Sequence, residues 1–285
     1  MILNQQIELA TRKIRDKFLM DSWQAHLESR ILMSHVLNQQ ISWIVAHPEI
    51  TLSTLQTESF HKLVERRLTG EPIAYITGKR EFYNIELAVS ASVLIPRPET
   101  ETLVETALFH LSEDQPLKIL DLGTGSGAIA LSLAKLRPKW KITATDISEQ
   151  ALTLAQYNAQ RLGLDQVKFI KTDWFNGLNE ERFDCILSNP PYIASDDPHL
   201  FQLNFEPSLA LISGKDGLNA LRILITHARN HLHEGGLLAC EHGFNQAEAC
   251  HNLFHTNGFS DIICIKDLAG LDRITWGRVI AFQNS

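Results

Sequence analysis

The feature that most constrains the fold of this chain is a glycine-rich segment at residues 121–128, Asp-Leu-Gly-Thr-Gly-Ser-Gly-Ala. It joins a predicted strand at 118–122 to an apolar stretch at 129–136 that has helical character. Glycines at such a junction let the backbone turn sharply and approach a ligand closely, because they carry no Cβ. The segment therefore predicts a strand, loop and helix that together bind a nucleotide-type ligand.

From residue 117 onward, predicted strands alternate with helical stretches, which is typical of a parallel sheet covered by helices on both faces. The candidate strands are residues 118–122, 141–146, 167–172, 183–188 and 237–241. Two last extended runs, 261–266 and 278–282, are joined by a loop too short for a crossover helix. We predict an α/β fold whose Rossmann-like sheet is mostly parallel with an antiparallel last strand.

The N-terminal quarter of the chain has a different pattern. Its apolar residues recur every three or four positions, as a buried helical stripe requires, at Leu27, Ile31, Phe60, Leu63, Val64 and Leu68. Gly70 and Pro72 are expected to end the last helix, and Trp23 and Trp43 are expected to pack inside the bundle. The predicted domains are a small helical domain at 1–75, a β-hairpin connector at 76–101 and an α/β domain at 102–285.

Composition excludes several classes of protein. The formal net charge of −7 argues against a dedicated nucleic-acid binder, which needs clustered Lys and Arg to displace counterions. No stretch approaches the ~18 apolar residues that span a bilayer, and the first residues lack a signal-peptide pattern, so a cytoplasmic protein without membrane contact is expected.

Metal and redox sites are not expected either. The four cysteines lie far apart without a Cys-x-x-Cys pair, which predicts reduced core residues. Two histidine pairs, at 227 and 231 and at 251 and 255, have a spacing that can hold zinc. Because no carboxylate completes a His-Glu-x-x-His pattern, we predict no metal.

The residues around the glycine loop indicate which ligand it binds. Asp146 ends the second strand nineteen positions after Gly127, where its carboxylate can accept hydrogen bonds from two ribose hydroxyls. The loop also satisfies the loose dinucleotide pattern, so a nicotinamide enzyme is the rival. Asp121 suits a cationic amino-acid end, and Asp173 with Trp174 suits an adenine, whereas pyrophosphate disfavours a nearby carboxylate. These features favour S-adenosylmethionine, although Asp121 could instead brace the loop and Trp174 could be a core aromatic.

The reacting group is predicted to contact Asn189-Pro190-Pro191-Tyr192, which follows the fourth strand. Two prolines fix the backbone and leave an acceptor-rich turn at the carboxyl edge of the sheet. If the Asn189 side-chain oxygen and the Pro190 carbonyl accept the two N–H hydrogens of a planar nitrogen group, they orient it for methylation, and Tyr192 can stack on it. Glutamine amides, adenine N6 and guanine N2 share this geometry.

Taken together, these motifs resemble the bacterial release-factor glutamine methyltransferases, which methylate the glutamine of the Gly-Gly-Gln loop in class 1 peptide-chain release factors. The resemblance covers essentially the whole chain. It includes Glu-Pro-Ile-Ala-Tyr-Ile-Thr-Gly at 71–78, Arg-Glu-Phe at 80–82, Leu-Ile-Pro-Arg-Pro-Glu-Thr-Glu at 94–101, Phe-Glu-Pro at 205–207 and Glu-His-Gly at 241–243. It implies a class I methyltransferase fold, S-adenosylmethionine as cosubstrate, and a release factor held partly by the N-terminal helical domain.

The resemblance also implies which residues form the site. By the resemblance, the cosubstrate would contact Gly123, Thr124, Gly125, Ser126, Gly127, Asp146, Trp174 and Asn189. The argument from the residues around the glycine loop adds Asp121 and Asp173 to this set. The glutamine would contact Asn189, Pro190, Pro191 and Tyr192, of which Asn189, Pro190 and Tyr192 are the expected catalytic residues. Pinned between prolines, Arg97 and Glu99 are candidates for shaping the substrate entrance.

Two alternatives stay open. A sister family that modifies a ribosomal-protein glutamine shares the four-residue segment, but its connector has Pro-Arg-Ser-Pro where this chain has Pro96-Arg97-Pro98-Glu99. A nucleic-acid amino-methyltransferase is disfavoured by the acidic charge. The stretch 199–205 is a residue or two shorter than in well-known members of the family, so the loop beside the site is expected to differ. We expect a monomer.

Overall fold

The structure is a computed structural model that describes residues 1–280. Its contacts divide the chain into two compact units, the first Met1–Lys79 and the second beginning at Arg80. Across residues 1–280, no helix combines the length and apolar character needed to cross a membrane.

The first unit is helical. Its elements are α1 (Leu3–Phe18), α2 (Ser22–Leu37), α3 (Ile41–Ala46), α4 (Thr54–Leu68) and α5 (Ile73–Thr77). Helix α4 begins with a capping box, in which Ser53 and Gln56 each bond the other's backbone N–H. Phe60 and Val64 then bury one face of this helix in the core of the unit.

Three predictions for this unit were wrong in detail. Trp23 is 75% exposed in the first turn of α2 and does not pack inside the bundle, although Trp43 does pack against the core. Leu27 and Ile31 are only half-buried, because the buried stripe of α2 is Ala25, Ser29, Leu32 and Met33. Helix α5 begins directly after Pro72, where the last helix was expected to have ended, and it runs to Thr77, past the predicted domain boundary at residue 75; five residues are too few to show a helical period.

The second unit opens with a hairpin of β1 (Lys79–Phe82) and β2 (Ile85–Ala88), as the connector pattern predicted. Tyr83 and Asn84 form its two-residue loop with φ of 44° and 60°. Positive φ at both positions defines a type I′ turn, whose twist matches that of the strands. A short 3-10 turn at Pro98–Thr100 then leads into the first long helix of the unit.

The remaining elements alternate as predicted with one exception: a turn, and not a helix, joins the strand that ends at Lys171 to the strand that begins at Phe183. They are α6 (Glu101–His110), β3 (Lys118–Leu122), α7 (Ala128–Leu136), β4 (Lys141–Asp146), α8 (Glu149–Leu162), β5 (Lys168–Lys171), β6 (Phe183–Ser188), α9 (Asn219–Ala228), β7 (Leu232–Glu241), α10 (Ala247–Thr256), β8 (Phe259–Lys266) and β9 (Asp272–Val279).

Within the described residues, seven strands form one sheet in the order β5-β4-β3-β6-β7-β9-β8. All neighbours are parallel except β9, which is antiparallel to both β7 and β8. Helices α6, α7 and α8 bury apolar residues on one face of the sheet, and α9 and α10 cover the other. The predicted fold class is confirmed.

Two strands differ from prediction by more than two residues at a boundary. Strand β7 begins at Leu232, five residues early, because a bulge with Gly235 at φ +71° interrupts its pairing with β6 and hid the strand pattern. The last strand is Asp272–Val279 and not 278–282, because its polar residues weaken the apolar alternation, while Ile274 and Trp276 are buried. Residues 281 and 282 of that prediction lie outside the described residues.

The strand order sets the position of the site. From β3 the chain moves to β4 and β5 on one side and later to β6 and β7 on the other, so the topological switch point lies between β3 and β6. Leu122 pairs with Ser188, and Ser188 pairs with Cys240, so the next residues of β3, β6 and β7 emerge side by side. Ligands of open α/β sheets bind at this edge.

Candidate active site

The glycine loop at 123–127 is tied to the end of β4. The backbone N–H groups of Gly123 and Thr124 donate to the Thr145 carbonyl at 2.9 and 2.8 Å, and that of Gly125 donates to Asp146 Oδ2 at 2.9 Å. The three loop glycines have φ of +74°, +56° and +87°. Left-handed backbone of this kind favours glycine, so the loop sequence follows from its geometry.

Gly127 is the loop glycine with the least room. A Cβ at this position would lie 2.8 Å from Leu131 Cδ1, whereas a Cβ at Gly163, the C-cap of α8 with φ +68°, would meet nothing within 4 Å. Both Gly→Ala variants pay roughly 1–2 kcal/mol for the left-handed conformation. The free energy of unfolding of Gly127→Ala should fall by about 1–3 kcal/mol more than that of Gly163→Ala, because the added methyl group overpacks against Leu131. Urea unfolding of the two variants measures this difference, and equal losses would rule out the steric argument.

Asp121, at position four of β3, lies beneath the loop and does not line the cavity described below. Its Oδ2 accepts hydrogen bonds from the Thr124 hydroxyl at 2.6 Å and from the Ala130 backbone at 3.2 Å. Its other oxygen is buried and has no hydrogen-bond partner among residues 1–280. Burial raises the pKa of Asp121 to about 7. The carboxylate therefore braces the loop and keeps one acceptor uncommitted.

Asp146, at the end of β4, lines the cavity. Its two oxygens accept backbone hydrogen bonds from Gly125 and Ser148, each at 2.9 Å. Burial raises the pKa of Asp146, and these backbone donors oppose the rise. Each carboxylate oxygen has two acceptor positions, so the group can take further hydrogen bonds from a ligand.

Asp173 and Trp174 follow β5 and also line the cavity. The segment is held to the neighbouring strand, because the Thr172 backbone N–H donates to the Asp146 carbonyl at 3.0 Å. Trp174 has a left-handed φ of 52°, a conformation that costs energy for an aromatic residue and turns the chain at this point. The structure thus brings the ends of β3, β4 and β5 around one space.

Asn189 follows β6 on the other side of the switch point and lines the same cavity, as does Pro191. Its side-chain Nδ2 donates to Thr100 Oγ1 at 2.9 Å. Its Oδ1 is buried without a hydrogen-bond partner in the described part of the chain. A buried acceptor left unpaired costs about 1–3 kcal/mol, so this oxygen marks a place for a donor.

Pro190 and Tyr192 do not line the cavity. The Tyr192 hydroxyl donates to Glu241 Oε1 at 3.1 Å, and its carbonyl accepts from Gln246 Nε2 at 3.0 Å. Burial, followed by the Glu241 charge, raises the pKa of Tyr192. The ring is thus anchored at its hydroxyl, and its predicted stacking on the reacting group stays a prediction.

Arg97 and Glu99 lie outside the cavity lining as well. Arg97 is paired with the nearly buried Glu206, whose Oε2 also accepts from the Ile95 backbone at 3.1 Å. This carboxylate therefore fixes the proline-rich connector to the segment after β6. The contact explains the predicted rigidity of the connector without showing contact with a substrate.

The cavity has a volume of about 570 Å³, within the range of small-molecule sites. Its wall contains the glycine loop, Asp146, Trp174, Asn189 and apolar residues of the connector and of the segment after β6, among them Val93 and Leu209. No group of three or more His, Cys, Asp or Glu side chains able to hold a metal occurs among residues 1–280. Acceptor groups and an aromatic ring around an apolar space suit a nucleoside with polar ends.

Sequence reasoning missed two residues of this arrangement. Thr100 and Glu241 both fall within the quoted motifs but received no role. Glu241 is the last residue of β7, which neighbours β6 in the sheet. The carboxyl ends of parallel strands meet at one edge of a sheet. A carboxylate at the end of β7, the strand beside β6, could therefore have been recognised in the sequence as a neighbour of Asn189.

Comparison with known proteins defines the class. Residues 100–203 match the family described as Methyltransferase small domain, and residues 16–78 match the PrmC N-terminal domain. Among solved structures, a methyltransferase from Pyrococcus furiosus has a TM-score of 0.55 at 21% identity, covering 76% of this chain and 98% of that one. The hMettl16 catalytic domain in complex with MAT2A 3'UTR hairpin 6 has a TM-score of 0.57 at 13% identity, covering 82% and 85%. The fold of this chain is therefore that of the two methyltransferase structures, and residues 100–203 match a methyltransferase family model.

The particular family follows from sequence relatives. A release factor glutamine methyltransferase from Xylella fastidiosa (strain 9a5c) is 48% identical over 90% of this chain and 94% of its own length. Those from Coxiella burnetii and Escherichia coli (strain K12) are 43% and 44% identical over 95% and 88% of this chain, and over 98% and 91% of their own lengths. The chain belongs to the release factor glutamine methyltransferase family, which confirms the resemblance.

Proposed function

We propose that this chain transfers a methyl group from S-adenosylmethionine to the side-chain amide N5 of the glutamine in the Gly-Gly-Gln motif of class 1 peptide-chain release factors. Family membership supports the substrate class. The single observation that carries the chemistry is that Asn189, which lines a nucleoside-sized cavity, has a buried Oδ1 without a hydrogen-bond partner among the described residues.

We assign to Asn189, which lines the cavity, and to Pro190, which does not, the two acceptors that an amide nucleophile needs. An amide nitrogen is a poor nucleophile, because its lone pair is delocalised into the carbonyl. Asn189 Oδ1 and the Pro190 carbonyl would accept its two hydrogens, orient the nitrogen and stabilise the positive charge it gains. S-adenosylmethionine, when bound, supplies an electrophilic methyl group on a sulfonium. As the N–C bond forms, the S–C bond would break with its electron pair kept by sulfur, and the methylated nitrogen would release one proton to water. The remaining task of the protein is positioning, which needs neither a metal nor a strong base.

The residues around the cavity fit S-adenosylmethionine in three places. Asp146 retains acceptor capacity for the ribose hydroxyls, and Asp173 with Trp174 would face the adenine. The glycine loop, Gly123, Thr124, Gly125, Ser126 and Gly127, would follow the methionine part without side chains in its path. Asp121, beneath that loop, has the free carboxylate oxygen suited to a cationic amino group.

The role of Asp121 predicts proton release on cosubstrate binding. Because the pKa of Asp121 is about 7, roughly half of its carboxyl groups are protonated at neutral pH in the protein without cosubstrate. A cation brought near its free oxygen lowers that pKa, so binding should release up to about half a proton at pH 7. Calorimetry in buffers of different ionisation enthalpy measures the release. Asp121→Asn should abolish it; unchanged proton release in this variant would show that Asp121 does not sense the cosubstrate.

The two-part chain organisation supports a division of labour. Residues 1–75 would help hold the release factor, with 76–101 as connector and 102–285 as catalytic domain. Arg97 and Glu99 would shape the entrance, a role that fits the anchoring of Arg97 by Glu206. We place the reaction in the cytoplasm, carried out by a monomer without a dedicated nucleic-acid surface.

A labelling experiment tests the proposed substrate. The protein is incubated with methyl-labelled S-adenosylmethionine and either a release factor with its Gly-Gly-Gln motif or the same factor with Ala in place of the glutamine. Label is expected on the first protein alone. Equal label on both versions would refute transfer to this glutamine, and strong label on DNA or RNA instead would favour the nucleic-acid alternative.

A further inference from the structure

Asn189 begins a continuous chain of hydrogen bonds whose first partner, Thr100, also lines the cavity. Asn189 Nδ2 contacts Thr100 Oγ1 at 2.9 Å, and Thr100 Oγ1 contacts Glu241 Oε2 at 2.6 Å. The Tyr192 hydroxyl reaches the other carboxylate oxygen at 3.1 Å. Thr100 and Glu241 are 4% and 1% exposed, so water does not compete for these contacts. Both ends of the chain lie in the four-residue segment after β6.

The number of available hydrogens fixes the direction of each bond. An ionised carboxylate only accepts, so the single hydrogen of Thr100 points at Glu241, and that of Tyr192 does the same. Thr100 can then offer Asn189 only a lone pair. The Asn189 amide must therefore turn its NH₂ group toward Thr100, which leaves Oδ1 as the side-chain atom without a partner among the described residues.

We propose that Thr100 and Glu241 are positioning residues that hold the Asn189 side chain with its oxygen, and not its nitrogen, presented to the substrate amide. This inference rests on the proposed function of Asn189. It adds a determinant of the reaction that comes from the turn before α6 and from the end of β7.

Packing alone cannot supply this selection. The oxygen and the NH₂ group of an asparagine are nearly the same size, so shape does not distinguish the two orientations. A flipped Asn189 would aim N–H donors at the N–H donors of the substrate glutamine. The flipped form is excluded only if the group beside Asn189 can accept a hydrogen bond but cannot donate one. Thr100 is such a group, because it donates its only hydroxyl hydrogen to Glu241.

The charge of Glu241 makes the device sensitive to pH. The groups that face this carboxylate are Arg273 from β9, Glu99 from the turn before α6, and the Thr100 and Tyr192 hydroxyls. Burial raises the pKa of Glu241 to about 7, with Arg273 opposing the rise and Glu99 adding to it. Below that pH the carboxyl carries a hydrogen of its own, and the fixed direction of donation is lost. The rate should therefore fall as pH decreases through about 7.

Variants of Thr100 separate orientation from simple packing. Thr100→Val keeps the shape and removes the hydroxyl, so kcat is expected to fall about 10- to 30-fold, below the 10²-fold that misplacement by a full ångström can cost. Thr100→Ser should restore most of that loss, because it returns the hydroxyl. The matched control is Thr106→Val, which removes an equally buried hydroxyl that bonds only the Thr102 carbonyl within α6. Thr106→Val should leave kcat unchanged. In Thr100→Val, Thr100→Ser and Thr106→Val alike, the KM for S-adenosylmethionine should change by less than about two-fold.

Glu241→Gln tests the second member of the chain. A glutamine has the same shape, but its amide both donates and accepts, so it no longer dictates the direction of the Thr100 hydrogen. We expect a lower kcat and, with S-adenosylmethionine at saturation so that Asp121 does not limit binding, the loss of the decline in kcat near pH 7. A retained decline in this variant, or a serine variant as slow as Thr100→Val, would overturn the proposal.

An activity-independent readout separates this proposal from the proposed function. The Asn189 side-chain amide can be observed by ¹⁵N NMR of asparagine-labelled protein and assigned by its absence in Asn189→Ala. Its signal should shift with a midpoint near pH 7 in the wild type, not titrate in Glu241→Gln, and change in Thr100→Val but not in Thr106→Val. An Asn189 signal indifferent to all of these refutes the positioning role, even if the wild type methylates the release factor. If the signal behaves as expected but the release factor is not methylated, the proposed function fails alone.

Discussion

Asn189→Ala is expected to lower kcat for methyl transfer to the release factor by about 10²- to 10³-fold, the loss typical when one preorganised hydrogen-bonding group is removed from an active site. The reason is that Asn189 Oδ1 is a buried acceptor without a partner among residues 1–280. The desolvation cost of this oxygen is therefore already part of the folded state before the substrate binds. Steady-state kinetics with a saturating amount of S-adenosylmethionine measures the effect.

The control for this variant is Asn230→Ala. Asn230 is exposed in the turn after α9, and its loss should leave the rate unchanged. Binding of S-adenosylmethionine to Asn189→Ala, measured by calorimetry, should weaken by no more than about 10-fold, the value of one hydrogen bond. A rate within three-fold of wild type would remove Asn189 from the chemical step.

Asp146→Ala is expected to weaken binding of S-adenosylmethionine by at least about 10²-fold, because hydrogen bonds to a charged acceptor contribute roughly 1.5–3 kcal/mol each and two ribose hydroxyls would lose theirs. The same change releases the glycine loop, since Gly125 donates its backbone N–H to this carboxylate. Calorimetric titration gives the dissociation constant directly, and kcat at saturation should change far less.

Asp165→Ala provides the comparison for this loss of charge. Asp165 is an exposed residue in the turn between α8 and β5, so the variant carries the same change of net charge without touching the cavity. It should bind S-adenosylmethionine as the wild type does. If Asp146→Ala bound equally well, the ribose contact would be wrong and the adenine and methionine ends would have to account for the affinity.

Local sequence patterns predicted the parts of the site that each lie on one short segment. The glycine loop and the segment from Asn189 to Tyr192 each follow a strand, and Asp146 ends one. Strand periodicity is a local pattern. Parallel strand order then brings their ends together, as the pairing of Leu122 with Ser188 shows. That is why these positions could be placed at one edge without coordinates.

The hydrogen-bond partners of those residues could not be predicted in the same way. Thr100 and Glu241 are 141 residues apart and meet only through the packing of the connector turn against the end of β7. Asp121 illustrates the same limit, because the sequence left open whether it braces the loop or faces the ligand. The structure shows bracing through Thr124 and Ala130 and a second, free oxygen.

Features with weak apolar alternation were the other source of error. Strand β9 carries polar residues on its partly buried positions and is held by pairing on both sides, so its stability comes from neighbours and not from its own pattern. The exposed Trp23 shows the converse, since residue type alone does not decide burial at the first turn of a helix.

Mass spectrometry of the modified release-factor peptide tests the central claim most directly. The release factor is incubated with the protein and S-adenosylmethionine, digested, and fragmented so that the added methyl group is assigned to a single side chain. We predict one methyl group on the glutamine of the Gly-Gly-Gln motif, located on its amide nitrogen, and far less of this product from Asn189→Ala in the same reaction time. A methyl group on any other residue would contradict this account, and so would an unmodified glutamine after prolonged incubation with excess S-adenosylmethionine.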